Sequence, residues 1–243
     1  MSRDYEQAFL FDLDGVLVDT MRHHLESWRV VARELGLELS AGQCEQFRGI
    51  ARPRVLEMLE TLHGPISGTR REQLMERKNL LYRSAIEADG GRIAFAGAAR
   101  LLKSLRLAGA RIGIVSASRN ARYLLRISGL LPSVDHVSDG YFPGPPKPDP
   151  AQIRDCAACL GLPPRLCAVV EDSAAGLEAA RHSGALAVGI GPEVRDAPKD
   201  MWRPSIGALR PKALIARLGE HRAGPGPDGG ASAPLAGEAR AAW

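Results

Sequence analysis

Phe9-Leu10-Phe11-Asp12-Leu13-Asp14-Gly15-Val16-Leu17-Val18-Asp19-Thr20 is the stretch on which the fold turns. A short apolar run carries two carboxylates onto its end and then meets a glycine. Alternation over so few residues does not separate strand from helix, but aromatic and β-branched content with a Gly boundary favours a buried parallel strand. In an open α/β sheet ligands bind beyond the carboxyl ends of the strands, which is where Asp12 and Asp14 sit. Residues i and i+2 of an extended chain point to the same side, so both acids face one pocket while Leu13 faces packing. Two like charges so close need a cation or a shared proton. Three readings follow. The pair is a solvated strand-end turn; or it is the metal-binding DxD of nucleotide-sugar glycosyltransferases, a motif that normally follows a nucleotide-binding βαβ unit, whereas only eleven residues precede Asp12. In the third, Asp12 is a nucleophile that accepts a phosphoryl group, with Asp14 as acid/base and Mg²⁺ screening the charge.

Working outward, 243 residues hold one large or two modest domains with a sizeable core. A net charge of +4 is too small and too dispersed to argue for nucleic acid, and suits a small anionic substrate. No apolar run approaches membrane-spanning length, and the polar start Met1-Ser2-Arg3-Asp4 is no signal peptide, so cytoplasm is the expected location and no membrane partner is expected. Nothing demands a dimer, and a monomer is the expectation. The four cysteines (Cys44, Cys156, Cys159, Cys167) do not form a disulfide framework. Cys156-x-x-Cys159 invites a zinc or redox reading, but no second Cys/His pair follows at ligand spacing. Ile153, Cys156, Ala157 and Leu160 share one helical face, which makes Cys156 core.

After Thr20, Met21 to Leu35 has the spacing of an amphipathic helix, with Met21, His24, Leu25, Trp28, Val31, Ala32 and Leu35 on one face. Helical patterns continue over 43–47, 52–62 and 69–88. The joint Phe47-Arg48-Gly49-Ile50-Ala51-Arg52 puts two guanidiniums around a glycine at a helix start, an anion site if it is not a solvated loop. Asp89-Gly90-Gly91 ends the helical stretch and can act as a hinge. From Phe95 the character alternates: helix 98–108, strand 111–115, helix 121–128, a weak strand near 136–138, helix 151–160, strand 167–170, helix 174–182 and strand 186–190. This pattern predicts an α/β fold, a doubly wound parallel sheet (a Rossmann-like core) with an inserted all-helical cap domain. Residues 1–20 and 94–218 are assigned to the core and 21–93 to the cap. Residues 219–243, rich in Gly, Ala and Pro, are read as a mostly disordered tail.

Four strand ends then carry polar chemistry: Asp12/Asp14, Ser116/Ser118, Lys147 and Glu171/Asp172. Each has a plain alternative as a helix cap or turn. Convergence on one sheet edge shifts the balance, because phosphoryl transfer to a carboxylate needs a nucleophile, a proton handler, a hydroxyl and cation for the phosphate oxygens, and acids for Mg²⁺.

With those residues in order from Asp12 to Asp172, the chain resembles the haloacid dehalogenase-like phosphotransferase superfamily, and within it the β-phosphoglucomutase group, from about Ala8 to Ile190. The subgroup features are His24 and Trp28, Arg48-Gly49-x-x-Arg52, Lys78-Asn79 and Ser116-Ala117-Ser118-Arg119-Asn120. The resemblance implies that Asp12 is the nucleophile and Asp14 the acid/base. It implies that Asp12, the Asp14 carbonyl, Glu171 and Asp172 hold Mg²⁺, and that Ser116 and Lys147 bind the transferring phosphoryl group. It further implies that Arg52 and the backbone around Gly49, beside Arg48, hold the distal phosphate in the cap. Ser118, Arg119, Asn120, Lys78 and Asn79 would line the sugar site, with His24 and Trp28 shaping cap closure. The implied reaction interconverts β-D-glucose 1-phosphate and glucose 6-phosphate through a phospho-aspartate and a 1,6-bisphosphate. A sugar-phosphate phosphatase on the same scaffold is the alternative, and a catalytically silent anion-binding module the third. Arg48 and Arg119 stand where the group usually shows Lys, which keeps the charge but changes reach and hydrogen-bond geometry.

Overall fold

The computed structural model describes residues 6–47, 50 and 52–223. Strand β1 (Ala8–Phe11) lies inside a six-stranded, all-parallel sheet. On one side of it run β2 (Arg111–Val115) and then β3 (His136–Ser138). On the other side run β4 (Cys167–Glu171), β5 (Leu186–Ile190) and β6 (Met201–Arg203), giving the order β3-β2-β1-β4-β5-β6. The winding direction therefore reverses between β1 and β4, which opens a crevice at their carboxyl ends. Phe11 pairs in register with Ile114 and with Val170, so the residues just beyond these three strands share one edge.

Alternation along β1 splits the core. Phe9 and Phe11 face one layer, packed with Ile112, Ile114, Val170 and Val188 against α5 (Ala98–Leu107) and α9 (Pro211–Ala223). Ala8 and Leu10 face the other, against α7 (Ala151–Cys159) and α8 (Ala174–Ser183). Both phenylalanines are fully buried, and each burial contributes about 1.5–3 kcal/mol over leaving the ring in water. Gly113 in β2 has no room for a side chain: a Cβ there would lie 2.8 Å from Cys156 Sγ and 2.7 Å from Leu10. That close approach seats α7 on the sheet and makes Cys156 core, as its helical face implies.

Between β1 and the rest of the sheet lie α1 (Met21–Glu34), α2 (Ala41–Glu45), α3 (Arg52–His63) and α4 (Gly68–Ala88). They enclose a separate apolar cluster of Trp28, Val31, Phe47, Val55, Leu56, Leu59 and Leu74. Ser40 starts α2 with a reciprocal capping box to Gln43, and Ser67 caps α4. The far end of α4 joins the main core through Tyr82 and Ile86. Asp89 accepts from His23 Nε2 at 2.7 Å and pairs with Arg22, so the entry to the helical insertion is tied to its exit.

The sequence pattern differs from this architecture at two places. The edge strand β6 was not anticipated, since Met-Trp-Arg is too short to carry a period. Helix α9 continues to Ala223, so the tail expected from Gly219 cannot begin there: Leu214 and Leu218 are buried against the core and hold the helix down. Arg48 and Gly49 lie outside the described residues, and so does most of the expected tail. Among the described residues no helix is long and apolar enough to cross a membrane.

Candidate active site

At the carboxyl edge of the sheet, under the helical insertion, is a cavity of about 720 Å³. Asp12, Asp14, Ser116, Lys147 and Asp172 line it from the core; His24, Trp28, Arg52, Lys78 and Asn79 line it from the insertion. Ser118 and Arg119 complete the core wall.

Asp12 leaves β1 with its backbone N–H donating to Val170 O at 2.9 Å. Lys147 Nζ donates to Asp12 Oδ1 at 2.7 Å, to Val115 O at 3.0 Å, and to Glu171 Oε1. Burial pushes the Asp12 carboxyl up to about 7; Lys147 opposes this, and the neighbouring charges of Glu171 and Asp14 add to it. Burial likewise raises Asp172 to about 8, with Asp12 and Glu171 contributing. Burial alone would lower Lys147, yet the two carboxylates beside it hold it above the usual lysine range. Among the described residues Asp12, Glu171 and Asp172 thus share a single ammonium, and the cluster is short of positive charge.

Asp14 is different. Burial acts to raise it, but hydrogen bonding and charge from His24, the Thr20 hydroxyl and the charge on Lys78 outweigh that and leave it below its ordinary value. Thr20 donates to its Oδ1, Tyr82 OH donates to the same oxygen at 3.4 Å, and His24 Nε2 stands 3.5 Å away. Lys78 Nζ lies 2.7 Å from His24 Nδ1 and over the Tyr82 ring at 4.5 Å. A lysine donating to Nδ1 fixes the ring as the Nε2–H tautomer, with its proton toward Asp14. The chain Lys78–His24–Asp14 therefore runs from the insertion to the core.

Lys78 is buried, and burial, then Arg52, lower it to about 7 against the pull of Asp14. An unfolded lysine titrates near 10.4, so between about pH 7 and 10 the unfolded chain binds more protons and stability rises with pH. Lys78→Met removes that slope. The thermal midpoint of the parent relative to the variant should therefore climb between pH 7 and 10; a pH-independent difference would mean that Lys78 stays charged.

Two predicted residues are close to the cavity without lining it. Asn120 donates through Nδ2 to Asn79 Oδ1 at 2.8 Å, and Arg52 donates to the same oxygen at 3.0 Å. Asn120 thus latches core to insertion through Asn79. Glu171 is fully buried behind Lys147, and its second oxygen accepts from Ser173 Oγ at 2.9 Å. A Cβ at Gly176 would lie 2.0 Å from the Glu171 carboxyl carbon, so the first turn of α8 needs a glycine there. Ser116 Oγ accepts from Ser118 N–H at 3.1 Å, and Arg119 sits over the Tyr141 ring at 5.2 Å. Sequence reasoning missed Tyr82, Met75, Glu72 and Glu76. Tyr82 was within reach, because it stands one helical turn beyond Lys78. The acids Glu72 and Glu76 look like an ordinary solvated face.

The haloacid dehalogenase-like hydrolase family matches residues 6–184. The chain belongs to that family. It is 32% identical over 188 residues to a β-phosphoglucomutase of Bacillus subtilis, covering 76% of this chain and 83% of that one. It is 30% identical over 210 residues to hexitol phosphatase A of Escherichia coli, covering 81% of this chain and 86% of that one. The fold matches a crystal structure of β-phosphoglucomutase from Clostridium difficile with a TM-score of 0.83 and 27% identity, over 88% of this chain and 98% of that one. The haloacid dehalogenase-like chain is therefore a phosphatase or phosphotransferase, and its parallel sheet with a helical cap is the architecture of these relatives.

Proposed function

We propose that this enzyme is a Mg²⁺-dependent phosphotransferase that interconverts β-D-glucose 1-phosphate and glucose 6-phosphate. The observation that carries the reading is a cavity with cations at both ends. Lys147 sits at Asp12; Arg52 reaches in from the cap and is latched to the core through Asn79 and Asn120. A substrate with phosphate at either end can then be gripped by the cap while the other end reacts.

The donor set fits a hard divalent cation. Asp12 and Asp172 are buried carboxylates with too little compensating charge, and oxygen donors of this kind select Mg²⁺. Gly15 belongs to the same fit: its φ is +91°, and a Cβ there would lie 1.9 Å from Asp172 Oδ2. Asp12, the Asp14 carbonyl and Asp172 would hold the ion; Glu171, bonded to Lys147 and Ser173, would reach it only by giving up one of those contacts. When bound, the ion neutralises charge on the phosphoryl oxygens and lowers the Asp12 carboxyl into its nucleophilic form.

In the working cycle the C6 hydroxyl oxygen attacks phosphorus on phospho-Asp12, the bond from phosphorus to Asp12 breaks, and the proton passes to Asp14. The lowered pKa of Asp14 keeps it ionised and ready for that proton. The 1,6-bisphosphate turns over in the site, Asp12 takes the C1 phosphoryl group, and Asp14 returns its proton to the C1 oxygen. Ser116 and Lys147 hold the group in flight. Closure of the cap keeps water from phospho-Asp12.

The relation to a hexitol phosphatase favours a second reading, in which water takes the place of the sugar hydroxyl. One assay separates the two. With β-glucose 1-phosphate, Mg²⁺ and a trace of the 1,6-bisphosphate, ³¹P NMR should follow conversion to glucose 6-phosphate without inorganic phosphate. Stoichiometric release of inorganic phosphate would assign the phosphatase instead. No turnover of either kind would leave the anion-binding reading.

A further inference from the structure

On the outermost strand of the sheet, two strands away from β1, three side chains of metal-binding type converge. His136 is the first residue of edge strand β3, and Asp155 and Cys159 lie one turn apart on the same face of α7. One ligand atom from each, an imidazole nitrogen, a carboxylate oxygen and the thiol sulfur, all lie within 4.8 Å of one another. None of the three side chains has a hydrogen-bond or ion-pair partner among the described residues. Zn²⁺ bonds of about 2.0–2.3 Å at a tetrahedral angle put ligand atoms roughly 3.3–3.8 Å apart, a closure that side-chain rotation on an exposed face supplies. We propose that His136, Asp155 and Cys159 form a second metal site, for a borderline divalent ion of the zinc class, on the outer face of the core.

The chemistry of the two centres is complementary. Around Asp12 the donors are hard oxygens, which suit Mg²⁺. Here nitrogen and thiolate dominate, which suits Zn²⁺ and its neighbours in the Irving–Williams order. Three protein ligands leave the fourth position to water. The Cys-x-x-Cys spacing misdirects, because the two thiols do not act together. Cys156 is buried, with its Sγ 3.7 Å from Ile114 O, whereas Cys159 is exposed. The real companions of Cys159 are an aspartate one turn before it and a histidine that precedes both in the chain. An ion bound there ties α7 to the edge of the sheet.

Among the described residues Cys159 is the single exposed cysteine, since Cys44, Cys156 and Cys167 are buried. Burial drives the Cys156 thiol up and Cys167 up to about 12, so neither supplies a thiolate at neutral pH. A thiolate-to-cobalt charge-transfer band therefore reports this site. The full chain, freed of metal and then saturated with Mg²⁺, is titrated with Co²⁺ and, in competition, with Zn²⁺. The expected result is one near-ultraviolet thiolate band per chain, bleached by stoichiometric Zn²⁺. Cys159→Ser should abolish the band, and His136→Gln and Asp155→Asn should each weaken Co²⁺ affinity roughly tenfold or more, since even groups that only orient a ligand contribute about 10–100-fold. All three variants should fold and, with Mg²⁺ as the only added metal, turn over substrate as the parent does. Absence of the band in the parent, or its persistence in Cys159→Ser, overturns the site. Co²⁺ bound only at the carboxylate set around Asp12 would give no sulfur band and would likewise overturn it.

Discussion

Asp12→Asn should lower phosphoryl transfer by roughly 10⁴-fold or more while leaving the fold intact, the scale seen when a nucleophile is removed from a working constellation. The amide matches the carboxylate in shape, but its nitrogen and oxygen cannot take the phosphoryl group. Stability gives the second half of the expectation. Burial holds the Asp12 carboxyl near 7, so its charge is disfavoured in the folded chain, and Lys147 keeps Glu171 and Val115 O when Asp12 is neutral. The thermal midpoint should therefore stay within a few degrees of the parent. Acid-quenched protein incubated with the 1,6-bisphosphate should carry covalent phosphate in the parent and none in the variant. Phosphate retained by Asp12→Asn, or activity above about one per cent of the parent in freshly repurified protein, would move the nucleophile to another side chain.

How far the sequence reached depends on which interactions were local. β1 was legible because Phe9 and Phe11 make a buried run that ends in acids and a glycine, all within a few residues. Asp12, Asp14 and Asp172 followed from strand ends that a parallel sheet must align, whereas Lys147 reaches the same cavity from the loop between β3 and α7 and not from a strand end. Residues whose placement rests on contacts between distant segments were harder. Asn120 has the composition of a sugar-binding group, yet its amide meets Asn79 of α4, 41 positions away, and no local pattern reveals that partner. Glu171 precedes Asp172 and looks equally available, but strand alternation turns it toward Lys147 and Ser173. The pair of buried His23 and half-exposed Asp89 sits at a separation of 66 positions, where helix periodicity is silent.

Among the described residues Lys147 is the single cation that Asp12 and Glu171 share, and its removal should be the most damaging change to stability in the site. In Lys147→Met two buried carboxylates lose their counter-charge, and Glu171 keeps only Ser173 as a partner. Breaking a buried pair by deleting one member costs about 3–5 kcal/mol. For a chain of this length, roughly 2–4 °C per kcal/mol gives a fall of about 6–20 °C in thermal midpoint, measured with chelator present. The pH dependence fixes the cause. Without the lysine the folded-state pKa of Asp12 rises further above its unfolded value near 3.9, and its neutral form is the one the fold accepts. A carboxyl raised in this way favours the folded state at low pH and loses that advantage as pH climbs through the raised pKa. The deficit relative to the parent should accordingly be smaller at pH 5 than at pH 8. Adding Glu171→Gln to Lys147→Met should recover part of the loss at pH 8, because one of the stranded charges is gone, although phosphoryl transfer should stay abolished in both. A deficit that is equal at the two pH values and untouched by Glu171→Gln would mean that the lysine stabilises through its packed methylene chain, and that some other group balances the carboxylates at the strand ends.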